Sequence, residues 1–159
     1  LIGSGSILNE SIKAQKILDS FGIRSDVWSA TSFNMLRKDG MEIDRFNELN
    51  PTSKKKQTYV EECLPSSETP VVAATDYMRA YPEQIRGFIK APYYPLGTDG
   101  YGRSDSRQKL REFFEVDATS IARIAIYSLF RKGDLNKKQI TAFYKKLKVN
   151  PSKPNPWEV

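Results

Sequence analysis

Histidine is absent from the 159 residues, and cysteine occurs once. Without imidazole the chain lacks the usual general base at neutral pH and the commonest zinc ligand. Neither a zinc centre nor a His-based acid/base site is therefore expected within it. A single Cys63 forms no internal disulfide and fits a reducing compartment. With no base to activate the thiol, Cys63 reads as buried filler rather than a nucleophile. No apolar run approaches the roughly 20 residues of a membrane-spanning helix, and no stretch has the pattern of a signal peptide, so no membrane partner is expected. What remains for chemistry is carboxylates, lysines and arginines.

Those charges are unevenly placed. Hydrophobic residues make up 39% and charged residues 28%, enough apolar content for one folded domain over 1–159. The net charge is +6. Residues 1–122 hold 16 Lys and Arg against 17 Asp and Glu, whereas residues 123–159 hold 9 against 2, so the whole excess lies at the C-terminal end. Such a patch either attracts nucleic acid or an acidic protein, or is a solvated lysine-rich face. The solvated face is the expectation.

Along the chain, Leu1-Ile2 reads as a strand end, with the first strand cut short in a polypeptide that continues upstream. The turn Gly3-Ser4-Gly5 has two glycines of a dinucleotide fingerprint. Leu8 stands at the third position, so a tight strand-to-helix turn is expected rather than a phosphate site. A helix capped by Asn9 buries Ala14, Ile17, Leu18 and Phe21, and Gly22 stops it. Ile23 to Ser29 reads as a second strand with Trp28 in the core. Thr31 or Ser32 starts a helix closed by Gly40, and a separate helical piece through Ile43, Phe46 and Leu49 ends at Pro51. Lys54-Lys55-Lys56 is an exposed loop, followed by a helical turn from Tyr59 to Leu64. Pro70 to Ala74 is a continuous apolar run, the pattern of a parallel strand covered on both faces. A helix from Thr75-Asp76 follows, with Met78 and Ile85 buried and a break at Pro82.

Tyr93-Tyr94-Pro95-Leu96 is the next strand, and it delivers the most informative stretch. Gly97-Thr98-Asp99-Gly100-Tyr101-Gly102-Arg103-Ser104-Asp105 packs three glycines into six residues and leads into a helix capped by Ser104 or Ser106. Asp99, Arg103, Asp105 and Arg107 put both signs of charge into one bend. They are expected to form an internal ion network, with the aspartates accepting from backbone N–H groups and the arginines binding carboxylates or carbonyls. The competing reading sends Arg103 outward to a neighbouring domain or an acidic ligand. Beyond the bend, Asp117 caps a helix with Ile121, Ile124, Ala125, Ser128 and Leu129 at helical spacing, ended by Gly133. Asn136 and Gln139 form a capping box for a last helix with Ile140, Phe143, Tyr144 and Leu147 on one side. Trp157 is expected to pin the proline-rich tail. Strand and helix alternate four times, which predicts an α/β domain of three layers with a mainly parallel sheet.

The segment LGTDGYGRSDSRQKLREFFEVDATSI resembles the C-terminal domain of homodimeric pyruvate dehydrogenase decarboxylating subunits, within the wider transketolase-like family. LIGSGSIL, SDVWSATSFNMLRKDG, FNELNP and TPVVAATDYMRAYPEQIR support it in order, so the resemblance spans nearly the whole chain. Arg103-Ser104-Asp105 points to the pyruvate enzymes, because the wider family has a looser glycine-rich turn there. Tyr101 stands where the family usually has Phe.

The resemblance implies a transketolase C-terminal-domain fold and a chain that is one part of a three-domain polypeptide. It implies a full-length oxidoreductase that decarboxylates pyruvate on thiamine diphosphate with magnesium, then acetylates the lipoyl group of the complex's second component. It further implies N-terminal and middle domains as partners, a second subunit of a homodimer, and a bacterial cytoplasmic location. The family's diphosphate motif and active-site histidines match no position here, so no catalytic, cofactor-binding or metal residue carries over. The candidate residues, Gly97 to Asp105 and Arg107, are those of a structural turn or interface. The alternative is a stand-alone interaction module using the basic C-terminal helices. Nucleic acid is disfavoured as its partner, since no exposed aromatic ladder accompanies the lysines.

Overall fold

The computed structural model describes residues 1–158. Four parallel strands form one sheet in the order β2-β1-β3-β4: β1 is Ile2–Gly3, β2 Trp28–Ser29, β3 Val71–Ala74 and β4 Tyr93–Leu96. Val71 to Ala74 are all buried, and their side chains alternate between two cores as strand geometry requires. Val72 and Ala74 face α1 (Leu8–Asp19), α6 (Ala118–Lys132) and α7 (Lys137–Lys146), together with Leu18, Ile121 and Ile126. Val71 and Ala73 face α2 (Phe33–Leu49) and α3 (Tyr59–Cys63), together with Phe33, Val60 and Ile85. The apolar run is thus a strand covered on both sides, the physical basis of the three layers.

Caps set most helix starts. Ser32 accepts from the Met35 N–H, Ser106 from Lys109, and Asp117 from Thr119 and Ser120. Thr58 with Glu61 and Asn136 with Gln139 make reciprocal capping boxes. Gly133 closes α6 at φ 97°. α7 lays Ile140, Phe143, Tyr144 and Leu147 against the first core, and Phe143 stacks on Phe21 at 4.7 Å.

Five local expectations differ from the structure. Asn9 is not a cap, because a 3-10 turn, Gly5–Ile7, runs straight into α1. α2 continues through Gly40 without a break. A Cβ there would lie 2.3 Å from the Phe88 ring, so this glycine serves a close contact rather than a helix end. The second strand is only two residues long, matching the two of β1 that it pairs with, and Trp28 on this edge is 42% exposed. Cys63 is half-buried rather than fully enclosed. Residues 75–79 form no helix; the next helix, α4, spans Ala80–Glu83, and Met78 is exposed. Beyond α4, the Tyr93 hydroxyl donates to the Pro82 carbonyl at 2.7 Å, and burial pushes that phenol well above its ordinary pKa.

Candidate functional site

β1 is flanked by β2 on one side and β3 on the other, so the sheet order diverges between β1 and β3. In open parallel sheets the crevice beyond the carboxyl ends of the strands at such a point is the usual ligand position. Here that crevice is a cleft of about 530 Å³, with Ser6 after β1, Asp76 after β3, Thr98 after β4, and Arg103, Arg107 and Arg111 along its far wall.

The first part of the glycine-rich bend is fastened to the segment after β3. The Thr98 N–H donates to Tyr77 O at 2.9 Å and its hydroxyl to Asp76 O at 3.0 Å. The Arg79 N–H donates to Asp99 Oδ1 at 2.9 Å, and Arg79 Nε stands 3.5 Å from Asp99 Oδ2. These bonds occupy backbone groups that a helix over 75–79 would have used for itself. Gly97 makes the approach possible, since a Cβ on it would sit 2.3 Å from the Arg79 nitrogen. Gly100, at φ 114°, lies against the returning tail, where a Cβ would meet the Pro156 carbonyl at 2.9 Å.

The second part of the bend stands in solvent. Tyr101 is 83% exposed, so water satisfies the hydroxyl that distinguishes it from Phe, and Gly102 has open space around it. The Arg103 guanidinium lies over the Phe113 ring at 4.3 Å. Asp105 accepts from the Ser106 N–H at 2.7 Å, and Ser104 is exposed beside it. Among the described residues, neither Arg103 nor Arg107 has a carboxylate within ion-pair distance, so Asp99, Arg103, Asp105 and Arg107 do not pair with one another. Both aspartates do accept from backbone N–H groups.

The charged centre of this region lies elsewhere. Glu10, on α1, is 8% exposed at its side chain. Its carboxylate accepts from Arg111 at 3.0 Å, from Lys13 at 2.8 Å and from the Ala118 N–H at the start of α6 at 3.1 Å. Arg111 also donates to the Ser6 hydroxyl at 3.0 Å, which donates onward to Asp76 at 3.0 Å. One carboxylate thereby joins α1, α5 (Arg107–Phe113) and α6 behind the cleft. Burial works to raise the Glu10 pKa, but the bonds from Lys13 and Ala118 with the nearby Lys13 and Arg111 charges outweigh it, and the group stays below its ordinary value. One signal for Glu10 is present in the sequence: it stands four residues before Ala14 and eight before Leu18, an acid on an apolar stripe. Nothing local marks Arg79, Ser6 or Asp76.

Chemically, the cleft offers hydroxyls, guanidinium groups and one carboxylate engaged by Ser6. It can grip an anion or seat a neighbouring acidic group. Its one hydroxyl–carboxylate pair, Ser6 with Asp76, is engaged by the Arg111 guanidinium, and no group of three or more Cys, Asp or Glu side chains is placed to hold a metal ion among the described residues.

Comparison with known proteins accounts for this architecture. The family described as Transketolase-like TK C-terminal domain matches residues 1–117, which contain the whole sheet, the cleft and the bend. The chain is 50% identical over 158 residues, 98% of its length, to the Pyruvate dehydrogenase E1 component of Pseudomonas aeruginosa. It is 43% identical over 160 residues to the protein of that name from Cupriavidus necator and 41% over 158 to the one from Escherichia coli. In each case the match occupies 18% of the relative, so the chain spans about a fifth of the length of these proteins. With the parallel sheet, the second core and the glycine-rich bend all inside the matched region, the chain belongs to the transketolase-like C-terminal domain family.

Proposed function

We propose that residues 1–159 form a single supporting domain of a pyruvate dehydrogenase E1-type chain and carry none of its catalytic groups. The observation behind this is the similarity to E1 components across 98% of the chain, in a sequence without histidine. In this reading the full-length homodimer decarboxylates pyruvate on thiamine diphosphate and magnesium and passes the acetyl group to the lipoyl-bearing second component, in the bacterial cytoplasm. In this reading the N-terminal and middle domains hold the cofactor, and no residue of this domain is assigned to its chemistry.

The domain's own contribution is mechanical. The buried Glu10 centre holds α1, α5 and α6 together, and the fastened half of the bend fixes the carboxyl edge of the sheet. The exposed half, from Tyr101 to Arg107, is then presented as a surface for the rest of the dimer. No comparison supports a stand-alone module that binds nucleic acid or an acidic protein.

Two measurements test this reading. The 159-residue chain, supplied with pyruvate, thiamine diphosphate and magnesium, is expected to release no carbon dioxide; turnover would overturn it. A full-length chain ending before Leu1 is expected to lose dimer stability in sedimentation. A truncated chain that remains dimeric with an unchanged thermal midpoint would remove the supporting role. No helix among the described residues is long and apolar enough to cross a membrane.

A further inference from the structure

A second and larger cleft, about 1060 Å³, lies between α7, the end of β4 and the tail as it folds back from Val149 to Trp157. Five cationic residues line it, Arg79, Arg123, Lys145, Lys148 and Lys153, against two acids, Asp99 and Glu115. Three of the cations are spoken for. Arg123 meets Glu115 at 2.6 Å, Lys153 meets the same carboxylate at 3.4 Å, and Arg79 meets Asp99 at 3.5 Å. Lys153 also donates to the Glu112 carbonyl at 2.6 Å, so the tail is tied to the C-terminal end of α5. Lys145 and Lys148 have no carboxylate within ion-pair distance among the described residues.

The backbone shapes the same cleft. Glu115 at φ 59° and Lys148 at φ 53° are the only non-glycine residues with positive φ among the described residues, and both line this one cleft. Lys148 occupies the left-handed position just past α7, where its N–H donates to Lys145 O at 3.2 Å and that of Val149 donates to Tyr144 O at 3.1 Å. Glycine takes that position at least cost, yet a lysine holds it. Glu115 closes α5 in the same way, its N–H donating to Glu112 O at 3.3 Å and that of Val116 to Arg111 O at 2.9 Å, so both helix ends turn the chain along this cleft.

We propose that this cleft binds a small phosphate-bearing anion, its charge taken by Lys145 and Lys148 and any organic part lying beside Tyr144 and Trp157. Charge-assisted bonds from two lysines suit a multiply charged phosphate better than a single carboxylate. The site is separate from the bend and does not rest on the functional reading above, which is tested by turnover and sedimentation rather than by ligand binding.

The probe is inorganic pyrophosphate. In a Trp28→Phe background Trp157 is the sole tryptophan, and its emission is expected to change saturably with one site at about 0.15 M salt. Calorimetry on the unaltered chain provides a second readout. Lys145→Gln with Lys148→Asn, asparagine being tolerant of the left-handed conformation, is expected to weaken binding about tenfold. Lys54→Gln with Lys55→Gln removes equal charge from an exposed loop and is expected to leave affinity unchanged. No saturation below about 1 mM by either readout, or equal weakening in the loop variant, would overturn the proposal.

Discussion

Glu10 and the Tyr101–Arg107 half of the bend lie on the same side of the sheet, yet charge does opposite work in them. At Glu10 one buried carboxylate gathers a guanidinium, an ammonium and a helix N-terminal N–H from three elements. In the outer bend the charges are numerous, but they meet an aromatic face, an adjacent N–H or solvent. Charge density in a sequence therefore does not identify where charge holds a fold together. Burial does, because screening by water reduces an exposed pair to little while a buried group left without its partner costs several kcal/mol.

The sharpest way to break this comparison is Glu10→Ala. It strips the partner from Arg111 and leaves the Ala118 N–H unbonded, so urea denaturation is expected to show a loss of ~3–5 kcal/mol. A loss below about 1 kcal/mol would mean the centre is dispensable.

Gly97→Ala comes next. The added methyl must displace the Arg79 backbone, and overpacking of this kind costs ~1–3 kcal/mol. Thermal unfolding checks it, and an unchanged midpoint would show that the bend is less tightly fastened than its bonds imply.

The pH dependence separates charge from packing. Because the folded state holds Glu10 below its ordinary pKa, its contribution is complete above the unfolded value of about 4.3 and is lost as pH falls through the folded value. The stability gap between wild type and Glu10→Gln is therefore expected to narrow as urea midpoints are taken from neutral pH to below about pH 4. A gap independent of pH would assign the effect to shape alone.

Arg103→Ala carries the smallest effect. An exposed guanidinium over an aromatic ring contributes ~0.5–1 kcal/mol. A loss of several kcal/mol would restore the internal ion network anticipated from the charge pattern.

Legibility in the sequence followed the range of the interaction. The run Val71–Ala74, the caps Asp117 and Asn136 and the stop at Gly133 were readable, and the caps Ser32 and Ser106 were each one of two candidates, because each depends on residues within a turn or two. Gly40 was misread as a helix end because its reason, the Phe88 ring, is 48 positions away. Residues 75–79 looked helical because nothing local shows that Tyr77 O and the Arg79 N–H are taken by Thr98 and Asp99. The bend was found from its glycines and charges, but not which half of it is fastened.

The amino-acid order alone settled the layered α/β class, the four strands and the family. Hydrophobic periodicity and capping are short-range and survive without knowledge of the fold. Only the tertiary structure decided that Glu10 is the charged centre, that Gly97 crosses the Arg79 backbone, and that Lys145 and Lys148 face a cleft roofed by the tail. Each depends on the desolvation and close contact of residues far apart in the chain, and those exist only once the sheet has brought them together.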